Sequence, residues 1–321
     1  MDAEGFVADL HRKPETLGGL AHTLAGANPW AQAVPAGIDR VVLLGMGSSA
    51  YAGGVAAARM RARGLLAVSE VASTQSLPDW GPGTLVVATS ATGGSVETLD
   101  ALGRLPSGVT TIALTNTADS AITERCDAVV ELRADREVGG VACRTYQHTL
   151  VLLMALEAHL AGADTTALAA TVTSAATASA HLLDTESDWR PAVSDLLLGP
   201  DGTHLAAPAH RFCSAQQGAL MLREGPRRPA VGCETGDWSH VDVYLTKTTD
   251  YRLLVFAGSP WEQQMAEWTT VRGTTVVAVG GSVPSAGFEV RYPGDDDDDV
   301  RLLTEVLVPE LVAASAWLGG G

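Results

Sequence analysis

The chain has 321 residues, enough for one large or two ordinary domains, and 46% of them are hydrophobic, enough to bury a sizeable core. Acidic residues outnumber basic ones by 37 to 21, for a formal charge of −16, so nucleic acid and anionic membranes are poor partners and a small anion would have to be met by local donors. Apolar runs such as residues 150–156 are too short to span a bilayer. The first nine residues carry Asp2, Glu4 and Asp9 and no basic stretch, so the expectation is a cytoplasmic protein without a secretory signal.

Residues 1–37 read as a helical lead-in, with Leu10, Leu17, Leu20 and Leu24 at near-helical spacing. Residues 40–45, Arg-Val-Val-Leu-Leu-Gly, read as a buried strand, followed by a Gly-Met-Gly-Ser-Ser turn and a helix over 50–63. Strands are expected over 84–89, 110–115 and 128–132, and helices over 95–102, 120–124 and 146–161. This alternation implies a parallel sheet covered on both faces. The Ala-, Thr- and Ser-rich stretch 162–190 reads as one or two linking helices. The second half repeats the order of the first, with strands expected over 210–214, 253–257 and 274–279 at offsets of about 165–170 residues, as duplication of one unit would produce. An apolar helix over 300–317 closes the chain, and the acidic run 295–299 before it reads as a solvated loop that favours the helix N-terminus. Cys126, Cys143, Cys213 and Cys233 form no CxxC pair and read as reduced thiols. No His/Cys spacing suits zinc, and no metal or organic cofactor is expected.

Two loops at the ends of neighbouring parallel strands would face one crevice, where open α/β sheets bind ligands. They are Gly45-Met-Gly-Ser-Ser49 and Ser90-Ala-Thr-Gly-Gly-Ser95. Each precedes a helix, so free N–H groups and a positive helix end point at the ligand. The hydroxyls of Ser48, Ser49, Ser90, Thr92 and Ser95 add donors, an arrangement that suits a phosphate monoester. Ordinary βα turns with capping serines are the competing reading. The Gly-x-Gly is no dinucleotide fingerprint, since Ala50 takes the third glycine position and no acid ends the next strand.

On these loops the chain resembles the sugar isomerase (SIS) domain family and, more narrowly, is similar to the isomerase half of glucosamine-6-phosphate synthases, with two such domains and no glutaminase domain. Gly47-Ser-Ser-Ala-Tyr-Ala-Gly53 resembles the family's first loop, and Ser90-Ala-Thr-Gly-Gly-Ser-Val-Glu-Thr-Leu99 its phosphate loop. Glu137-Val-Gly-Gly-Val-Ala-Cys-Arg-Thr-Tyr146 is similar to the stretch lining the sugar. Gly218-Ala-Leu-Met-Leu-Arg-Glu224 resembles the second domain's signature helix, with His240 at the family's spacing after Glu224. Asp9-Leu-His-Arg-Lys-Pro14 resembles the lead-in helix. The resemblance implies tandem flavodoxin-like α/β modules, each a parallel sheet flanked by helices, over 38–165 and 196–321, joined by a helical linker over 166–195.

It further implies that Gly47, Ser48, Ser49, Ser90, Ala91, Thr92, Ser95, Val141 and Arg144 bind a phosphorylated sugar. Glu224 would move a proton between C1 and C2, and His240 would open the ring, reaching the site from the partner of a homodimer. Enediol chemistry needs one carboxylate near the α-carbon and one acid/base at the ring oxygen. Without the family, Glu224 reads as a helix-end acid beside Arg223, and His240 as an ordinary histidine. Departures are Met221 in place of the family's lysine, Ala91 in place of a glutamine, and no counterpart of the lysine-bearing C-terminal tail. Lys13 and Lys247 are the only lysines, and Lys247 is the candidate substitute near His240. Arg227 and Arg228 offer a second anion contact, or a solvated basic loop. The activity implied is a sugar-phosphate isomerase or an aminating or deaminating relative. The alternatives are a non-catalytic phosphosugar-binding regulator and an altered enzyme of specialised metabolism.

Overall fold

The computed structural model describes residues 1–78 and 80–320. Helices α1 (Ala3–His11) and α2 (Lys13–Gly26) lead into β1 (Arg40–Gly45), α3 (Ser48–Ala62), β2 (Leu66–Val71), β3 (Thr84–Thr89) and α4 (Val96–Gly103). Then follow β4 (Thr110–Thr115), β5 (Ala128–Glu131) and α5 (Arg144–Leu160). Two more helices, α6 (Thr166–Asp184) and α7 (Glu186–Leu197), precede β6 (Thr203–Ala207), α8 (Phe212–Glu224), β7 (Ala230–Glu234) and β8 (Arg252–Phe256). The chain ends with α9 (Glu262–Val271), β9 (Thr275–Val279), β10 (Phe288–Val290), α10 (Asp298–Thr304) and α11 (Leu307–Leu318).

The chain divides into two compact units. One comprises residues 16–136 and 144–172; the other comprises 1–15, 137–143 and 173–321. Each holds one five-stranded, wholly parallel sheet. The orders are β2-β1-β3-β4-β5 and β7-β6-β8-β9-β10, the same topology twice in the same chain order.

The central strands are the apolar ones because helices cover both sheet faces. In β6 and β8 successive side chains alternate between two cores. Leu205, Leu254 and Phe256 join α1, α7, α8 and α11 residues such as Leu10, Val193, Met221 and Leu311. Ala206, Leu253 and Val255 face Trp238, Tyr251 and Met265. In the other sheet β1 and β3 are buried along almost their whole length, with Val42, Leu44 and Val86 against Ala72 and Ala101.

Several expected elements are corrected. The strand that opens the second module is Thr203–Ala207; residues 210–214 instead form a 3₁₀ turn and the start of α8. Its Thr-His-Leu-Ala-Ala sequence has little β-propensity, and only burial on both faces makes it a strand. Residues 120–124 form turns rather than a helix. The closing helix breaks at Glu305–Val306 into α10 and α11. Strands β2, β7 and β10 were not anticipated: each is an edge strand with mixed exposure, and β10 has three residues. The acidic run is not wholly solvated, since Asp295 is buried against Arg291 and Asp297 caps α10.

Candidate functional site

Strands β1 and β3 are direct parallel neighbours, and β1 pairs on its other side with β2, so strand order reverses between them. Their carboxyl ends carry the two hydroxyl-rich loops. Gly45 ends β1 because a Cβ there would lie 2.7 Å from Cβ of Ser49. Gly47 takes φ +50°, outside the reach of most side chains, and lets α3 begin at Ser48. Ser48 and Ser49 are half-buried, and no protein group takes up their hydroxyls among the described residues.

The second loop is tightly tied. Ser90 is buried; its N–H donates to the Leu114 carbonyl and its carbonyl accepts from Gly93, both at 3.1 Å. Gly93 sits at φ +68°, and a Cβ there would collide with Oγ of Ser120. The carbonyl of Ala91 accepts from the Asn116 N–H at 3.1 Å and from the hydroxyls of Thr115 and Thr117 at 3.4 Å. Thr92 is exposed, with Oγ1 accepting weakly from the Gly94 N–H at 3.4 Å. Ser95 caps α4, accepting from the N–H and hydroxyl of Thr98 and donating to Glu97. Neither loop contains Lys or Arg, so the favourable field for an anion comes from backbone dipoles and hydroxyls.

Arg144 has a different task from the one expected. It is wholly buried and donates to the carbonyls of Ala134 and Arg136, each at 2.7 Å. It thereby braces a loop in which Arg133 and Asp135 adopt positive φ, and which Asn116 also holds through Ala134 and Asp135. Arg144 is a strut, not an anion contact facing solvent.

The remaining expected residues lie in the other unit. Val141 is 2% exposed and belongs to its apolar core. Glu224 is the last residue of α8 and half-buried. Burial, followed by the charge of Glu137, raises its carboxyl above the ordinary carboxylate value. Glu137 accepts from the Cys143 N–H at 2.7 Å, and Gln217 of α8 donates to the Ala142 carbonyl at 3.0 Å, so residues 137–143 lie along the helix that ends in Glu224. Met221, where the family has lysine, is buried in the core. Lys13 is fully buried in an ion pair with Glu310. Arg228 donates to the Gly199 carbonyl and is not free for an anion.

His240 is exposed at the end of a 3₁₀ turn, Asp237–Ser239. It lines a cavity of about 370 Å³ with Glu234, Gly236, Asp237, Trp261 and Gln264.

The duplicated sheet has a crevice of its own, between the ends of β6 and β8, but its donors are taken. The N–H groups of Gly258 and Ser259 both donate to Oε1 of Glu262, at 2.6 and 2.8 Å. Arg211 fills the neighbouring space, paired with Glu305 and donating to the Ala257 carbonyl. An internal carboxylate thus occupies the helix N-terminus where an anion would otherwise sit. The signal was present in Ser259-Pro-Trp-Glu262, a capping-box spacing.

Repeated parallel sheets with helices on their faces, and hydroxyl-rich loops at a strand-order reversal in the first of them, define a doubled α/β protein. Residues 36–158 match the family described as SIS domain. Over 271 residues it is 28% identical to a glutamine–fructose-6-phosphate aminotransferase (isomerizing) of Aeropyrum pernix, which covers 78% of this chain and 43% of that protein. The chain thus spans less than half the length of this curated relative. The C-terminal domain of glucosamine-fructose-6-phosphate aminotransferase from Francisella tularensis has the same fold, with a TM-score of 0.82 at 14% identity over 99% of this chain and 96% of that one. So has tagatose-6-phosphate ketose/aldose isomerase from Escherichia coli, with a TM-score of 0.79 at 14% identity over 99% and 93%.

Proposed function

We propose that the protein interconverts an aldose and a ketose phosphate through an enediol, holding the phosphate in the crevice of residues 45–49 and 90–95. The observation that carries this reading is the pair of hydroxyl-bearing loops on adjacent parallel strands, with Ser48 and Ser49 unengaged at the start of α3. Glu224 is the proton carrier in this reading. Its raised carboxyl suits a group that takes a carbon-bound proton from C2 of the aldose and returns it to C1 of the enediol. His240 assists ring opening by moving a proton to the ring oxygen. Glu224 precedes β7 and His240 follows it, an order that favours a site in which a second copy of the chain supplies His240. The reading is therefore of a homodimer.

The test is proton exchange. Hexose 6-phosphates incubated with the protein in deuterated water should gain deuterium at C1 or C2, and Glu224→Gln should abolish this. Full exchange in that variant would remove Glu224 as the carrier.

One observation favours a second reading, a phosphosugar sensor without turnover. Met221 replaces the family's lysine and Lys13 is locked in an ion pair. The amine that would form a Schiff base with a ketose is absent from those positions. Phosphosugar binding without deuterium exchange is the outcome that selects this reading.

A further inference from the structure

His240 is exposed, yet the residues two before and two after it are anchored to the same buried phenol. Trp238 is 0% exposed and its indole N–H donates to Oη of Tyr251 at 3.0 Å. Asp242 is 5% exposed, and the Tyr251 O–H donates to its Oδ2 at 2.9 Å. The same Oδ2 is met by Nδ1 of His204 at 3.1 Å. The His204 ring lies on the Tyr251 ring with centroids 3.9 Å apart and planes 24° apart. Tyr251 therefore uses its oxygen once as acceptor and once as donor, and the four side chains form one closed polar network.

The network is fixed to rigid elements. His204 lies in β6, and Tyr251 immediately precedes β8, the strand paired with β6. The segment it holds has little regular structure of its own. It consists of the short 3₁₀ turns Asp237–Ser239 and Asp242–Lys247, with His240 between them. The His240 N–H donates to the Asp237 carbonyl at 2.8 Å. Further along, Arg272 donates to the Val243 carbonyl and the Thr246 hydroxyl while its guanidinium lies 4.6 Å from the Trp268 ring centroid. A histidine between two independently mobile turns would sample many orientations. One flanked at both sides by residues tied to a common buried oxygen does not.

We infer that Tyr251, Asp242, His204 and Trp238 are positioning residues whose role is to present the His240 imidazole in a fixed orientation on an otherwise irregular loop. This rests on the reading in which His240 opens the sugar ring. A network that merely satisfied buried polar groups would contribute stability and leave His240 unaffected. One that presents His240 acts on the rate through that residue alone, because misplacing a catalytic group by about 1 Å costs up to about a hundredfold.

The experiment compares Tyr251→Phe, Asp242→Asn, His240→Ala and the Tyr251→Phe/His240→Ala double variant in the full chain. Deuterium exchange and kcat on a hexose 6-phosphate are measured together with ¹H–¹⁵N spectra of the histidine rings. Tyr251→Phe should lower kcat about ten- to a hundredfold, leave KM within about twofold, and shift or broaden the His240 ring signals. Added to His240→Ala it should cost nothing more. If the two losses multiply, the network acts elsewhere and the inference fails while the role of His240 stands. If His240→Ala keeps the wild-type rate, His240 is not in the chemistry and the network has nothing to present. The ring signals decide the matter even without turnover, since unchanged His240 resonances in both Tyr251→Phe and Asp242→Asn overturn the inference.

Discussion

Glu224 and His240 stand at opposite ends of strand β7: the first closes α8 ahead of the strand, and the second comes after it, in the cavity beside Glu234 and Trp261. A five-residue strand covers about 16 Å, more than one small sugar can bridge. Mixing two inactive proteins, Glu224→Gln and His240→Ala, should therefore restore activity if sites are shared across a symmetric dimer. One intact site per mixed dimer gives about a quarter of wild-type activity after random exchange. No recovery after subunit exchange, verified by mass, would place both residues on one chain's own site.

The raised carboxyl of Glu224 predicts the pH profile. A proton acceptor must be ionised, so kcat/KM should fall as pH drops through a value above the ordinary 4.5 of a glutamate. Burial is the larger cause and the charge of Glu137 the second. Glu137→Gln should thus move the acid limb to lower pH without returning it fully to that value. A limb that stays in place in the variant would show that Glu137 does not act on Glu224.

Within the proposed phosphate crevice, the hydroxyls divide by what else they do. Ser48→Ala and Ser49→Ala remove groups with no protein partner, so KM should rise about tenfold each with an unchanged melting temperature. Ser95→Ala also removes the cap of α4 and should cost about 1 kcal/mol of stability in addition. Thermal melts beside saturation kinetics separate the two. A stability loss in the Ser49 variant would contradict the free hydroxyl.

Lys13 offers a test of structure against chemistry. Both it and Glu310 are fully buried, so Lys13→Met strands a carboxylate and should destabilise the protein by about 3–5 kcal/mol. Lys13→Met with Glu310→Leu should recover most of that loss in urea unfolding, and should retain isomerase activity. A stable but inactive double variant would make Lys13 the missing amine of the reaction.

The blocked second crevice predicts phosphate stoichiometry. One phosphate should bind per chain, at the first module. Glu262→Ala frees the Gly258 and Ser259 donors and should shift the amide signals of those two residues when inorganic phosphate is added. Shifts of equal size in the wild type would show that Glu262 does not close the site.

The sequence alone determined the parallel α/β class, the positions of β1, β3 and β4 to the residue, the crevice loops and the doubling. Buried parallel strands are runs of Val, Leu and Ile, and glycines mark where the backbone must turn sharply, so both are written locally. Only the tertiary structure decided the rest. Edge strands β2, β7 and β10 carry no continuous apolar run, and β6 is a strand because its neighbours bury Thr203 to Ala207 on both faces. Arg144 and Arg228 look like anion contacts in a linear reading. Their buried donors instead meet carbonyls that are found only by folding the chain. The same holds for Tyr251, whose oxygen joins residues 238, 242 and 204 through contacts that no spacing along the chain could announce.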